Sequence, residues 1–252
     1  DGSCLYPSFW FVSVDGSDSN VGNEESPFAT IQHGIDAADE GQIVMVAPGT
    51  YHGVGNIDLD FDGKAITLIS EAGPEQTIID CGGANRGFTF EDGEDSTSVL
   101  DGFTITNGSH NVGAGIYIEN NARPKISNCL ITENHAYLLS AQIIGEGGGI
   151  YSAWNCGFIL ERSTISYNNG QNYGALYARG TAELRHVNIT NNISNSGSII
   201  YFSEHDIILE YVTILNNHTG DDSWAKLINF SSSNAVIKNS VFYNNYTDGG
   251  VL

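Results

Sequence analysis

Four tyrosines, Tyr117, Tyr151, Tyr177 and Tyr201, each directly follow an aliphatic residue that recurs along the chain, and strand alternation turns their rings outward on one face. Sugar rings stack on exposed aromatic faces, so such a stripe would make a carbohydrate platform. The plainer alternative is that the rings stack on one another and stiffen a sheet. In Asp15-Gly16-Ser17-Asp18-Ser19-Asn20, the oxygens of Asp15, Asp18 and Asn20 fall at spacings reminiscent of a Ca²⁺ loop, which keeps Ca²⁺ open as a cofactor. The distal Glu of such a loop is missing, and an Asx-rich turn accounts for the same residues.

Catalytic chemistry is harder to place. Eliminative cleavage of a uronate polymer needs a base and a cation to neutralise the carboxylate. The nine basic residues, among them Lys64, Arg86, Arg123 and Arg179, are scattered over different segments. Glycoside hydrolysis needs converging carboxylates. The acids of the repeats, Glu119, Glu161, Glu183 and Glu210, do not share a column with other acids. His110, His135, His186, His205 and His218 fall in or beside turns and show no ligand spacing, so surface turn residues is the favoured reading.

A net charge of −21 would repel nucleic acid and anionic membranes. No apolar run reaches the roughly 18 residues needed to span a bilayer. Asp1-Gly2-Ser3-Cys4 carries no leader features and reads as a mature secreted or cell-surface form. Cys4, Cys81, Cys129 and Cys156 lack zinc spacing and are expected to form disulfides in one of three pairings; Cys129 and Cys156, about one repeat apart, could face each other.

The elements that must carry these residues follow from periodicity. Ile131, Ile165, Ile189, Ile214 and Phe242 each begin an Ile/Phe-x-x-Asn pattern, at spacings of 34, 24, 25 and 28 residues. Five residues earlier lies a second aliphatic column, Leu100, Ile126, Leu160, Leu184, Leu209 and Ile237. A third holds Ile116, Ile150, Leu176, Ile200 and Leu227. Each repeat therefore has three short strands, too short to fold alone, which stack at about 4.8 Å so that the columns fill one interior. The fold expected is all-β: a right-handed parallel β-helix of about seven coils.

Residues 1–40 are expected to form a cap. Phe9–Val14 reads as a strand, and Phe28, Ile31, Ile35 and Ala38 lie at helical spacing behind Ser26 as N-cap and Pro27 at N1. Residues 41–252 form the solenoid. Tyr246–Leu252 ends in a turn without a cap, so more solenoid, a partner or self-association through that open end is expected.

Asn134, Asn168, Asn192, Asn217 and Asn245 recur at one turn and are expected to form an amide ladder. Glu161, Arg185, Glu210 and Lys238 should alternate in charge up an outer column. Of six glycosylation sequons, three lie in the ladder and are sheltered. Asn188, followed by Asn107 and Asn229, is the best acceptor in a eukaryotic secretory pathway. Tyr137, Leu138, Leu139, Ile143 and Ile144 make the insertion at 135–148 unusually apolar, suited to covering the coil or forming a lip.

Two stretches resemble known families. Asp15-Gly16-Ser17-Asp18, Ser26-Pro27-Phe28-Ala29-Thr30-Ile31-Gln32 and Val46-Ala47-Pro48-Gly49-Thr50-Tyr51 are similar to the cap and first coil of secreted β-helix proteins, a group that includes pectate-lyase-like enzymes. The Gly-Gly-x-Ile and Ile/Phe-x-x-Asn repeats of 113–252 resemble the polymorphic outer-membrane-protein repeats of bacterial adhesins. These resemblances imply a β-helix but no one activity. The favoured expectation is a non-catalytic, adhesin-like or structural extracellular module that meets a glycan or protein. The alternative is a pectate-lyase-like polysaccharide enzyme or a glycan-binding module.

Overall fold

The computed structural model describes residues 9–137, 145–220, 226–248 and 250–251. Its strands stack into a parallel β-helix of about seven coils. One nine-stranded sheet runs from Phe9–Val12 and Ile43–Val46 to Asn234–Lys238, and an eight-stranded sheet from Gly49–His52 to Val241–Tyr243. A seven-stranded sheet runs from Leu59–Asp60 to Ile228–Ser231. A fourth, of short strands, begins at Ser109–His110 and ends in an antiparallel pair, Tyr246–Thr247 with Gly250–Val251. The fourth sheet goes beyond the three-strand coil read from the sequence. It arises because the residue after each corner asparagine pairs with the coil before, as in His135 N–H to Gly108 O and Asn169 N–H to Asn134 O.

Register follows the aliphatic columns. Leu68, Leu100, Ile126, Leu160, Leu184, Leu209 and Ile237 are successive partners in the first sheet, and Ile79, Ile105, Ile131, Ile165, Ile189, Ile214 and Phe242 in the second. All but the last of each column are buried, a gain of about 1.5–3 kcal/mol per side chain before chain entropy is charged. Ile237 and Phe242, on the last described coil, are 43% and 38% exposed. The third column corrects one position: Ile200 pairs with Ile228 rather than Leu227. The spacing rule allowed either residue, and the hydrogen bond from Ile200 N–H to Leu227 O sets the choice.

The cap helix spans Ile31–Ala37, four residues shorter at its start than the Ser26–Pro27 signal suggests. Phe28, Ile31, Ile35 and Ala38 are buried all the same. Thr30 holds the N-cap position without a side-chain capping bond to the helix, and the Ile31 N–H is taken by Asn56 Oδ1 at 2.9 Å. Long-range partners thus do the capping that the sequence assigns to a local residue.

Among the described residues the expected disulfides are absent. Cys81, Cys129 and Cys156 are free and buried, and Cys4 lies outside the described residues. One coil above Cys129 sits Ser163, whose Oγ accepts the Cys129 N–H at 3.0 Å. Cys156 directly precedes the strand Gly157–Glu161 of the first sheet, where Gly157 pairs with Thr181. The sequence interval resembles a repeat, but the two thiols occupy different corners. Leu138, Leu139, Ile143 and Ile144 also lie outside the described residues.

Candidate functional site

Outward positions of the third sheet form one unbroken column. Register runs Asp60, Thr89, Tyr117, Tyr151, Tyr177, Tyr201 and Asn229, one residue per coil. Inward neighbours such as Phe88, Ile116, Ile150 and Leu176 fix that alternation by filling the core. The tyrosine rings lie within 8–10° of parallel, with centroids 5.5, 4.8 and 5.0 Å apart in order. Tyr173 leans on both Tyr177 and Tyr201 at 5.1 and 4.9 Å. At these separations the rings cover each other's faces, and Tyr177 is left only 8% exposed. The stripe therefore offers water a row of ring edges and hydroxyls instead of faces for sugars to stack on. Burial pushes the Tyr151 phenol up to about 12 and raises those of Tyr117 and Tyr177, so these hydroxyls remain donors at neutral pH. Tyr117 already donates to Glu119 Oε2 at 2.6 Å.

At the head of the column a polar cleft of about 370 Å³ is lined by Asp58, Asp60, Asn85, Arg86, Thr89, Glu91 and His110. Arg86 is its organising group. Its Cζ sits 4.3 Å from the Tyr117 ring centroid, its Nε donates to Val112 O at 3.1 Å, and its backbone N–H donates to Asp58 Oδ1 at 3.0 Å. Among the described residues the carboxylate pairs go to Lys125, Arg162, Arg179, Arg185 and His218, and none to Arg86. In a chain of net charge −21 the cleft thus holds a stacked cation with no carboxylate within ion-pairing distance.

Burial first, and then the Arg86 charge, push the His110 imidazole below its usual value. Its Nδ1 accepts the Val112 N–H over a long 3.4 Å contact, which places the ring proton on Nε2. For Asp60, burial, opposed by the Asp62 N–H bond and helped by repulsion from Asp62, Glu94 and Asp92, pushes the carboxyl up to about 6. Asp60, Asp92 and Glu94 bring carboxylate oxygens within 4.8 Å of one another. Glu94, 1% exposed, accepts Gly63 N–H with one oxygen and Asp92 N–H with the other, so the group ties turns of adjacent coils together.

The sequence reading passed over this convergence because it sought acids in the later repeats. The signal was present: Leu59 and Phe88 stack in register, which brings Asp58-Leu59-Asp60 against Phe88-Thr89-Phe90-Glu91.

The Asp15–Asn20 loop is built differently from a cation site. Asp18 Oδ1 accepts the N–H groups of Ala29 and Thr30, and its Oδ2 accepts the Thr30 hydroxyl, all at 2.9 Å. Burial works against that charge, but the Thr30 and Ala29 donors outweigh it and hold the carboxyl below its usual range. Asn20 donates to Pro27 O at 2.8 Å. Asp18 and Asn20 thus fasten the segment that enters the cap helix, and Asp15 is not drawn into the same contacts.

In the corner ladder, Asn134, Asn168, Asn192 and Asn217 each donate Nδ2 to the Oδ1 of the next asparagine, ending at Asn245, over 2.9–3.1 Å. All five are buried. Of the sequon residues outside the ladder, Asn188 is exposed. Asn107 is half-buried and bonded to Asp80, and Asn229 is half-buried at the foot of the tyrosine column. The charge column is in register, yet only Arg185 and Glu210 pair along it, at 3.7 Å. Glu161 turns instead to Lys125 at 3.0 Å and Arg162 at 3.4 Å.

Comparison with known proteins agrees on the scaffold. The chain resembles a pectin methylesterase from carrot, with a TM-score of 0.50 and 10% identity over 98% of this chain and 90% of that one. Pectate lyase Pel9A aligns with a TM-score of 0.36 and 14% identity over 96% of this chain and 80% of that one. At 10% identity the likeness to the carrot enzyme is one of fold. The uncharacterized protein YwoF of Bacillus subtilis is 41% identical over 61 residues, which are 24% of this chain and 13% of that protein. The chain thus matches only about an eighth of the length of that relative. No helix among the described residues is long and apolar enough to cross a membrane. Residues 10–148, more than half of the chain, match the Pel9A-like right-handed β-helix region, and the chain belongs to that family.

Proposed function

We propose that this chain is an extracellular polysaccharide-binding β-helix, with its ligand lying on the third sheet from the Arg86 cleft along the tyrosine hydroxyls. The observation that carries this reading is Arg86: a cation stacked on Tyr117, without an ion-paired carboxylate, at the head of a row of hydroxyl donors. A guanidinium held this way suits the carboxylate of an acidic sugar, and the surrounding Asp58, Asp60, Asn85, Thr89 and Glu91 suit its hydroxyls. That the fold is shared with a pectin methylesterase and that the family is named for a pectate lyase supports a polysaccharide partner.

Binding is favoured over eliminative cleavage by the histidine. A base must present a lone pair to the sugar, and His110 presents its Nε2 proton. Calorimetry against uronate polymers and neutral glycans tests the reading. Binding should favour a uronate polymer, and Arg86→Ala should weaken it at least about tenfold. Unchanged affinity in that variant would refute the site, and an ultraviolet-absorbing unsaturated product would refute a purely binding role.

A further inference from the structure

Trp154 stands at the edge of the same sheet, in the turn that follows Ile150–Ser152, and is 62% exposed. It is nevertheless held in place. Its Nε1 donates to Glu204 Oε2 at 2.9 Å, and the other Glu204 oxygen pairs with Arg179 Nη2 at 3.1 Å. Arg179 follows the strand Leu176–Ala178 and Glu204 follows Ile200–Ser203, so the three residues come from three successive coils. A bond from the first coil to the third crosses two strand spacings, about 9.6 Å. The indole can bridge that distance only by lying along the solenoid axis, over the turn that carries Arg179.

An aromatic ring left in water contributes little to folding, and one tied at its far end loses little freedom on binding. Around it lie polar groups: Asn155, bonded to Asn121, and the Arg179–Glu204 pair. A lone flat apolar surface rimmed by hydrogen-bonding groups matches a pyranose ring, which has an apolar C–H face and a rim of hydroxyls. A protein partner would instead need further apolar area to surround such an anchor. The stacked tyrosines cannot supply this surface, because their faces are already covered.

We propose that Trp154 is a pyranose-stacking subsite, positioned by Glu204, on the glycan face that begins at Arg86; this rests on the polysaccharide-binding reading above. The test titrates the protein with a uronic-acid hexasaccharide and a neutral hexasaccharide, following heat by calorimetry and tryptophan emission in parallel. The emission should change on binding and stay unchanged in Trp154→Phe. Trp154→Ala should weaken binding about five- to tenfold with little change in melting temperature. Glu204→Ala should weaken it too, whereas Glu204→Gln, which keeps an acceptor for the indole, should bind as the parent does. Full affinity in Trp154→Ala, with binding still lost in Arg86→Ala, would overturn the subsite and leave the wider reading standing. Absence of heat with every saccharide would overturn both. If Trp154→Ala does not fold, full affinity in both Trp154→Phe and Glu204→Ala overturns the subsite.

Discussion

Replacing Asn192 with leucine keeps the branching and heavy-atom count of the side chain and removes one rung of the corner ladder. In the parent, Asn192 Oδ1 accepts both the backbone N–H and the Nδ2 of Asn168, at 3.0 and 3.1 Å, while its own Nδ2 reaches Ile165 O, Thr190 O and Asn217 Oδ1. The substitution spares part of the network. Asn168 Nδ2 keeps Ile131 O, and Asn217 Oδ1 keeps the Asn192 N–H. The Asn168 backbone N–H is left stranded in a buried corner, which costs about 1–3 kcal/mol, and the lost side-chain donations add about 1 kcal/mol net. The sum, about 2–4 kcal/mol, corresponds to a fall in melting temperature of roughly 5–15 °C for a chain of this length. The strands of each coil pair only with those of the adjoining coils, so the loss should be local, and amide exchange should accelerate most at Asn168 and the adjoining coils. Asn188→Leu, at an exposed position between the same coils, is the control and should change stability by less than about 0.5 kcal/mol. A melting temperature in Asn192→Leu equal to the parent's would show that the corner tolerates an open rung and would refute the reasoning.

Three further outcomes follow from the described geometry. Tyr151→Ala with Tyr177→Ala removes three near-parallel ring contacts and the Tyr173 contact, and should lower stability by about 2–4 kcal/mol in denaturant titration while weakening glycan binding less than Arg86→Ala does. The Asp60 carboxyl is raised from 3.8 to about 6 on folding, so its contribution to stability is fully present below pH 3.8 and is lost as pH rises through 6. Asp60→Asn should therefore gain melting temperature relative to the parent between pH 4 and pH 7; a constant difference across that window would contradict the raised carboxyl. Cys81, Cys129 and Cys156 are free, and burial pushes the first two thiols up to about 12 and raises the third, so native protein should alkylate slowly at pH 8 and quickly in denaturant. Reducing agent should leave its melting temperature unchanged.

The scaffold was legible because it is written in repetition. A single aliphatic such as Leu160 says little, but Leu100, Ile126, Leu160, Leu184 and Leu209 at matching offsets from Ile105, Ile131, Ile165, Ile189 and Ile214 leave one stacking that buries both columns. The same logic found the tyrosines but not their orientation. Spacing says that Tyr151 and Tyr177 are neighbours, and only packing says that their rings lie flat against each other. Where repetition is weakest the reading failed. The Arg86 cleft joins residues of the early coils, whose Phe61, Phe88 and Phe90 core departs from the aliphatic pattern of the later ones. Trp154 occurs once, in a turn, and its partner Glu204 is 50 residues away, a distance that no local pattern connects. The cap helix shows a related limit, since Asp18 and Asn56 hold its entry from outside the segment that forms it.

The column of four near-parallel phenol rings also has an optical consequence. Chromophores of one kind, held face to face at 4.8–5.5 Å, share their excitation, and the coupled bands take the handedness of the array. Near-ultraviolet circular dichroism of this chain should therefore carry a signal that belongs to the stack and not to any one tyrosine. It would be sensitive to a slip of one coil against the next and blind to motion of the solenoid as a whole. The protein carries its own gauge of coil registration, built from side chains that the stacking of the coils holds in place.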